Sequence, residues 1–235
     1  MRSLSLPPIA LAAILVVPAC GGGGGDAVCY DAAPFTGSAA SFGARLATAA
    51  CFPEAHAMPA GLGQVAVRPD SIAGGLASCG ACLELSGTAG TRVAIVVEDC
   101  EGCGSTVDLD LDAETFTAVT GADEGLVEID ARPVPCPVTG SLRWASSEGT
   151  NAYFVQLYAL DHRHPLSAVA LRVAGAFVPL ARTDTNGWQW TSSGQTVEPP
   201  YTLRVTDVFG HVVDDTVTVA AGNVGTGAVQ LPACR

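Results

Sequence analysis

The sequence predicts an all-β protein: a barrel-like β domain over residues 28–137, followed by a β-sandwich over residues 138–235. Three observations lead there. β-Branched or alternating apolar runs recur through both halves, as strands rather than helices require. Turn residues separate the runs of the second half at spacings expected of a sandwich. One proline-rich stretch, Ala131 to Ser141 ("ARPVPCPVTGS"), interrupts the pattern and marks the boundary. There is no internal repeat.

In the first half, "TRVAIVVED" (Thr91 to Asp99) is a buried strand by its β-branched run, "STVDLDLD" alternates strictly, and "GLVEIDARP" is a further strand. Between the last two, "DAETFTAVTG" predicts one short helix. Asp112 is suited to the N-cap, where its carboxylate can accept from first-turn N–H groups, and Gly121 to the left-handed C-terminal position. In the second half "SLRWASS", "AYFVQLYAL", "AVALRVA", "AFVPLA", "YTLRVTDVFG" and "HVVDDTVTV" all predict strands, with a hairpin turn in "VFGHVV".

The N-terminus predicts export. Arg2 is the only charge before an apolar run, Ile9 to Val17, that is too short to span a bilayer. Val17-Pro18-Ala19-Cys20 looks like a bacterial lipobox, with residues 1–20 the signal segment and Cys20 the lipidated residue; the alternative is an ordinary signal peptide cut near Ala19. Residues 21–27, with five consecutive glycines, form a flexible tether. The expected location is the bacterial cell surface, lipid-anchored, or the medium. Contact with membrane is expected only through the anchor.

Export bears on the other eight cysteines: Cys29, Cys51, Cys79, Cys82, Cys100, Cys103, Cys136 and Cys234. An even number in an exported chain favours disulfides, in any of 105 pairings. The two CxxC pairs, Cys79/Cys82 and Cys100/Cys103, have seventeen residues between them, a zinc-ribbon spacing in a cytosolic protein. In an oxidising compartment, disulfides linking the two segments are the stronger expectation, and no metal or other cofactor is expected.

Charge narrows the partner. The formal net charge is −12, with no lysine. It lies almost wholly between Asp26 and Pro137, where sixteen acidic residues face four arginines. That half is unsuited to nucleic acid, whose phosphates need Lys and Arg, and to polyanionic pectin; a neutral polysaccharide fits.

The acidic stretch "EDCEGCGSTVDLDLDAETF" admits a calcium reading, since Asp108, Asp110 and Asp112 imitate the first EF-hand ligands. That loop needs Gly at its sixth position and Glu at its twelfth; Ala113 and Val119 stand there. On a strand, Leu109 and Leu111 point to the core and the three aspartates to the opposite face. Asp108 is expected on a solvated face and Asp112 at the helix cap, which leaves Asp110 aimed outward. His162 and His164 are expected in solvent beside a turn, and the four histidines show no metal spacing.

"CGACLEL", "VVEDCEGC" and "VDLDLDAETF" together resemble the expansins, particularly their bacterial and expansin-like branch, over nearly the whole mature chain. The resemblance implies a six-stranded double-psi β-barrel followed by an immunoglobulin-like carbohydrate-binding domain. It places the aspartate essential for wall loosening on Asp110 and a second groove acid on Asp99. The threonine that hydrogen-bonds the key aspartate in the family falls on Ala40 in "GSAASFG"; Ser41 or Thr36 is the candidate substitute hydroxyl. The family's paired aromatics fall on Tyr153 and Phe154. The third falls on Thr185, so Trp188 or Trp190 is expected to take its place on an exposed face. Neighbours on a strand face opposite ways, so Tyr153 and Phe154 need a bulge or twist to be exposed together.

Glycoside hydrolysis ordinarily takes two carboxyl groups on opposite faces of the sugar, and the barrel's opening segment "FTGSAASFGARL" has none. The leading expectation is a monomer that binds cellulose or a related neutral glucan and loosens it without hydrolysis. Two alternatives stand beside it: a peptidoglycan lytic transglycosylase resembling rare lipoprotein A, and a surface adhesin with a degenerate groove.

Overall fold

Six strands close into a barrel: β1 (Phe35–Gly43), β2 (Gly63–Val67), β3 (Cys82–Ser86), β4 (Thr91–Asp99), β5 (Leu109–Asp112) and β6 (Val127–Val134). The structure, a computed structural model, describes residues 29–31, 33–52, 61–68 and 79–234; the signal segment, Cys20 and the glycine tether lie outside these. Around the barrel the order is β1-β5-β2-β4-β3-β6. The pairs β1/β5 and β2/β4 are parallel, and the rest are antiparallel.

Alternation fills the interior as the sequence predicts. Leu109 and Leu111 of β5, Leu83 and Leu85 of β3, Ala94 and Val96 of β4, and Val65 and Val67 of β2 form one buried cluster. Helix α1 (Ala113–Thr120) adds Phe116 and Val119 to it. Asp112 is the N-cap, accepting from the Thr115 N–H, and Gly121 ends the helix in the left-handed region at φ 78°.

The second half forms two sheets from β7 (Arg143–Ser146), β8 (Phe154–Leu160), β9 (Leu166–Val173), β10 (Ala176–Pro179), β11 (Ala181–Arg182), β12 (Trp188–Thr191), β13 (Tyr201–Asp207), β14 (Val212–Val217) and β15 (Val224–Thr226). Their orders are β10-β9-β13-β14 and β11-β12-β8-β7-β15. Both sheets contribute to one core, with Trp144, Leu157 and Trp188 from the second and Leu171, Leu203 and Val205 from the first. The turn expected in "VFGHVV" joins β13 to β14, with Gly210 at φ 85°.

A third cluster joins barrel to sandwich. Cys51, Phe52, Ile95 and Val97 pack with Ala145, Tyr158 and Leu160. Gly80 marks the closest approach: at φ 75°, a Cβ there would lie 2.5 Å from Nε2 of His162. His162 and His164 are therefore buried, at 4% and 0% exposure, and not solvated as expected. The histidine-bearing turn is where the sandwich meets the barrel, a contact invisible in local polarity.

All eight cysteines pair, as Cys29–Cys234, Cys51–Cys79, Cys82–Cys136 and Cys100–Cys103. This corrects the expectation that the two CxxC segments are joined to each other. In the β3/β4 ladder Cys82 is opposite Ile95, so Cys100 lies five residues farther along the chain, just past the end of β4, while the β3/β6 ladder sets Cys82 opposite Val134, two residues from Cys136. The same partition takes apart the four-cysteine zinc-ribbon set.

Candidate functional site

The three alternating aspartates of the LDL segment have three different surroundings. Asp108 accepts from the Ser38 N–H (2.9 Å) and hydroxyl (3.0 Å) and forms an ion pair with Arg68. Burial pushes its carboxyl up, but the Ser38 bonds and the Arg68 charge outweigh that and hold it below the ordinary range. It ties β1 to the start of β5 and does not sit on a solvated face. Asp112, 1% exposed, accepts from Thr115 N–H (3.1 Å), Thr115 hydroxyl (2.8 Å) and Gln64 N–H (2.5 Å). Asp110 lies between them, half-buried, and its Oδ1 is buried with no hydrogen-bond partner.

The register explains that orphaned oxygen. Residues opposite one another in a sheet share a face. Asp110 is opposite Ala40 on β1 and Ala66 on β2, neither of which has a polar side-chain atom. Ser41 is opposite Leu111, on the core-facing parity, and its hydroxyl accepts from the Gly43 N–H. Thr36 donates to Asp130. Neither supplies the hydroxyl that Ala40 lacks, which corrects the expectation of a substitute at Ser41 or Thr36.

The row continues to Glu98. Ala66 is opposite Glu98 on β4, so Ala40, Asp110, Ala66 and Glu98 cross four adjacent strands. Burial pushes the Asp110 carboxyl up, the Leu111 N–H opposes this, and the Glu98 charge raises it further. Asp99, the acid expected beside Asp110, is instead opposite Val67 and exposed at the strand end. Its charge acts on Arg182 of the sandwich. Sequence reasoning missed Glu98 because a β-bulge in β4 reverses the facing of these two neighbours. A simple alternation count cannot find it.

The Cys100–Cys103 disulfide borders the row; its sulfurs and an Asp110 carboxylate oxygen lie within 4.8 Å of one another. His164, Asp207 and His211 also come within 4.8 Å of one another, a grouping absent from the spacing. These are already engaged: His164 with Tyr30 hydroxyl and the Pro232 carbonyl, and His211 Nδ1 with Asp207.

On the sandwich, Tyr153 is 60% exposed and Phe154 half-buried. Tyr153 sits in the turn closed by the Asn151–Phe154 bridge, ahead of β8, so strand alternation does not bind it and both rings can face outward. Trp188 and Trp190, by contrast, are 3% and 8% exposed. They are opposite Leu157 and Val155, both core residues, so the exposed tryptophan expected there is corrected. The outward positions of β12 are Gln189 and Thr191, opposite Gln156 and Phe154. Arg182 is opposite Trp188, on the other side of this sheet at its edge, 5.4 Å from the Trp188 ring centroid, and is the group that feels Asp99 across the junction.

No family model matches the chain. Expansin-YoaJ of Bacillus subtilis is 27% identical over 188 residues, covering 79% of this chain and 76% of that protein. Expansin-like protein 2 of Dictyostelium discoideum is 26% identical over 165 residues, 67% of this chain but 40% of that protein. Among solved structures, the apo expansin of Clavibacter michiganensis superposes with a TM-score of 0.71 at 26% identity, covering 84% of this chain and 98% of that one. An Asp→Asn variant of that expansin in complex with cellohexaose superposes equally well, at 25% identity and the same coverage.

Proposed function

We propose, since the chain belongs to the bacterial expansin-like proteins, that it binds a neutral, cellulose-type glucan and loosens its packing without cleaving it. The observation that carries the reading is Asp110: of three strand aspartates it alone has a carboxylate oxygen left without a partner, on a row that runs toward the sandwich. A glucan hydroxyl donates to the accessible edge of this half-buried carboxylate, and such charge-assisted hydrogen bonds, roughly twice as strong as neutral ones, compete with the hydroxyl contacts between glucan chains. Tyr153 and Phe154 offer π faces to the apolar C–H surface of pyranose rings, with Gln156 and Gln189 beside them as amide partners. Tyr158, on the same face of β8 as Phe154 and Gln156, packs with Ile95 and Val97 of β4, which brings this sheet face next to the strand that ends the barrel row, so one extended chain can touch both. The cellohexaose complex of the Clavibacter variant supports a neutral β-glucan as the ligand.

Cleavage is not part of the reading. β1 has no carboxylate from Phe35 to Gly43, and Glu98 rises from the same sheet as Asp110, whereas inversion needs acids on opposite faces of the sugar. We read the barrel as double-psi, the sandwich as an immunoglobulin-like carbohydrate-binding domain, and the chain as a monomer. Four disulfides fit export to an oxidising compartment, with Cys20 as the lipid anchor. The transglycosylase and adhesin alternatives gain nothing from relatives that carry expansin names. The test compares wild type with Asp110→Asn in three measurements: sedimentation on microcrystalline cellulose, creep of a stretched wall strip, and release of reducing ends. Binding by both, creep by wild type only and no reducing ends from either is expected. Soluble sugar released by wild type and lost in the variant would overturn the non-cleaving mechanism.

A further inference from the structure

The four disulfides differ in what they hold. Cys29–Cys234 joins residues 205 apart, Cys82–Cys136 residues 54 apart and Cys51–Cys79 residues 28 apart, whereas Cys100–Cys103 spans only three. A bridge constrains the unfolded chain more the longer the loop it closes, so the last contributes least to stability. Nor does it tie one element to another. Both cysteines belong to a single 3-10 turn, Glu101–Cys103, with Cys100 at its N-cap. Backbone bonds hold that turn without help from the sulfurs. Cys103 N–H donates to the Cys100 carbonyl (3.3 Å), Cys100 N–H to the Val67 carbonyl (2.9 Å) and Val107 N–H to the Cys103 carbonyl (3.4 Å). Reduction therefore leaves the two sulfurs side by side, in the Cys-x-x-Cys arrangement that thiol–disulfide exchange uses.

The neighbour of this turn gives the pair its chemistry. Both sulfurs and a carboxylate oxygen of Asp110 lie within 4.8 Å of one another, and Asp110 Oδ1 is buried without a hydrogen-bond partner. A disulfide sulfur has no hydrogen to give, so the bridge leaves the carboxylate unsatisfied. Breaking the bridge creates S–H donors beside Asp110, and hydrogen bonds to an ionised acceptor are the strong ones. The carboxylate also opposes loss of the thiol protons, as any nearby like charge does. The reduced form thus gains a contact that the oxidised form lacks, and a stabilised dithiol makes a readily reduced disulfide. We propose that Cys100–Cys103 is a reversible thiol–disulfide exchange site, with Asp110 as the acceptor that stabilises its dithiol form, and that the other three bridges are structural. The reductant is a dithiol. Its thiolate attacks Sγ of Cys100, which is half-buried where Cys103 is 7% exposed. The S–S bond breaks, and its electron pair leaves with Cys103 Sγ, which takes up a proton and donates a hydrogen bond to Asp110. The second sulfur of the reductant then displaces Cys100 as a thiol. In sum two electrons and two protons pass to the protein, and the reductant becomes a disulfide. The acidic barrel repels anionic thiols, so a neutral dithiol is the better partner.

Dithiothreitol is the probe, added in steps to the full chain near neutral pH without denaturant; free thiols are alkylated with N-ethylmaleimide and located by mass spectrometry. In wild type, Cys100 and Cys103 are expected to be labelled at about tenfold less reductant than any other pair. They are expected to re-form their own bridge when cystamine replaces the reductant. Asp110→Ala removes the acceptor and should raise the reductant needed for this pair roughly fivefold, leaving the other three pairs where they are. Asp110→Asn keeps an acceptor oxygen without the charge and should fall between the two. In wild type reduced at this pair alone, the Asp110 carboxyl, followed by carbon-13 NMR, is expected to titrate at lower pH than in the oxidised protein, a shift that mere accessibility of the bridge would not produce. Reduction of this pair together with or after the others, an unchanged reductant requirement in Asp110→Ala, or an unmoved carboxyl titration would overturn the proposal.

Discussion

Lowering the pH from 7 to 4 tests the junction between barrel and sandwich through one buried imidazole. His162 donates Nδ1–H to the His164 carbonyl at 2.8 Å, so its lone pair is on Nε2, directed at Gly80. Burial is the main force that pushes its pKa down from 6.5 to about 4; Arg182 and His164 add to this, and the His164 carbonyl and Asp161 oppose it. Between those two values the unfolded chain binds a proton that the folded chain refuses. Stability is therefore intact above the unfolded value of 6.5 and falls as pH drops toward 4. At pH 4 the linkage amounts to about 3 kcal/mol, a large part of a typical margin of about 5–15 kcal/mol. Carboxylates titrate in the same range, so the measurement is a difference. Urea unfolding at pH 7, 5.5 and 4 is compared between wild type and His162→Asn, whose amide keeps a donor for the His164 carbonyl. Wild type should lose about 3 kcal/mol more than the variant over this range. A difference below about 0.5 kcal/mol, or an NMR titration of His162 near pH 6.5, would refute the account of a sealed junction.

Ala40→Thr places a hydroxyl opposite Asp110 and should lower the pH at which that carboxyl titrates, read by carbon-13 NMR; an unmoved titration would remove Ala40 as the cause of the orphaned Oδ1. Tyr153→Ala should lose cellulose sedimentation with stability changed by less than about 0.5 kcal/mol, as at a surface site. Trp188→Ala, in the core, should instead cost about 3–5 kcal/mol in urea unfolding. The Cys29–Cys234 bridge closes a span of 205 residues, so replacing both with serine should cost up to about 5 kcal/mol by the chain-entropy estimate, measured the same way.

Much of the frame was legible in the residues themselves. Strand β4 runs over Thr91–Asp99 as its β-branched run predicts, and α1 is capped by Asp112 and Gly121 as its end residues predict. Alternation in LDLD separates Leu109 and Leu111 from Asp110. Short strands such as β11, β12 and β15 were not legible, because two to four residues give no period to count. Trp188 and Trp190 show the limit most plainly: their spacing says that they share a face, but not which face. Only the pairing of β12 with β8 turns them inward.

By itself the sequence determined the local pattern: where strands and the helix lie, which residues alternate, that eight cysteines were available to pair, and that Asp110 was the outward aspartate of its strand. The tertiary structure alone decided which cysteines met, which of two neighbouring acids joined Asp110, and which histidines were shut away. These outcomes depend on register and docking between segments far apart in the chain. A single skipped residue in β4 exchanges Glu98 for Asp99, and no count along one strand registers a shift that exists only relative to its neighbour.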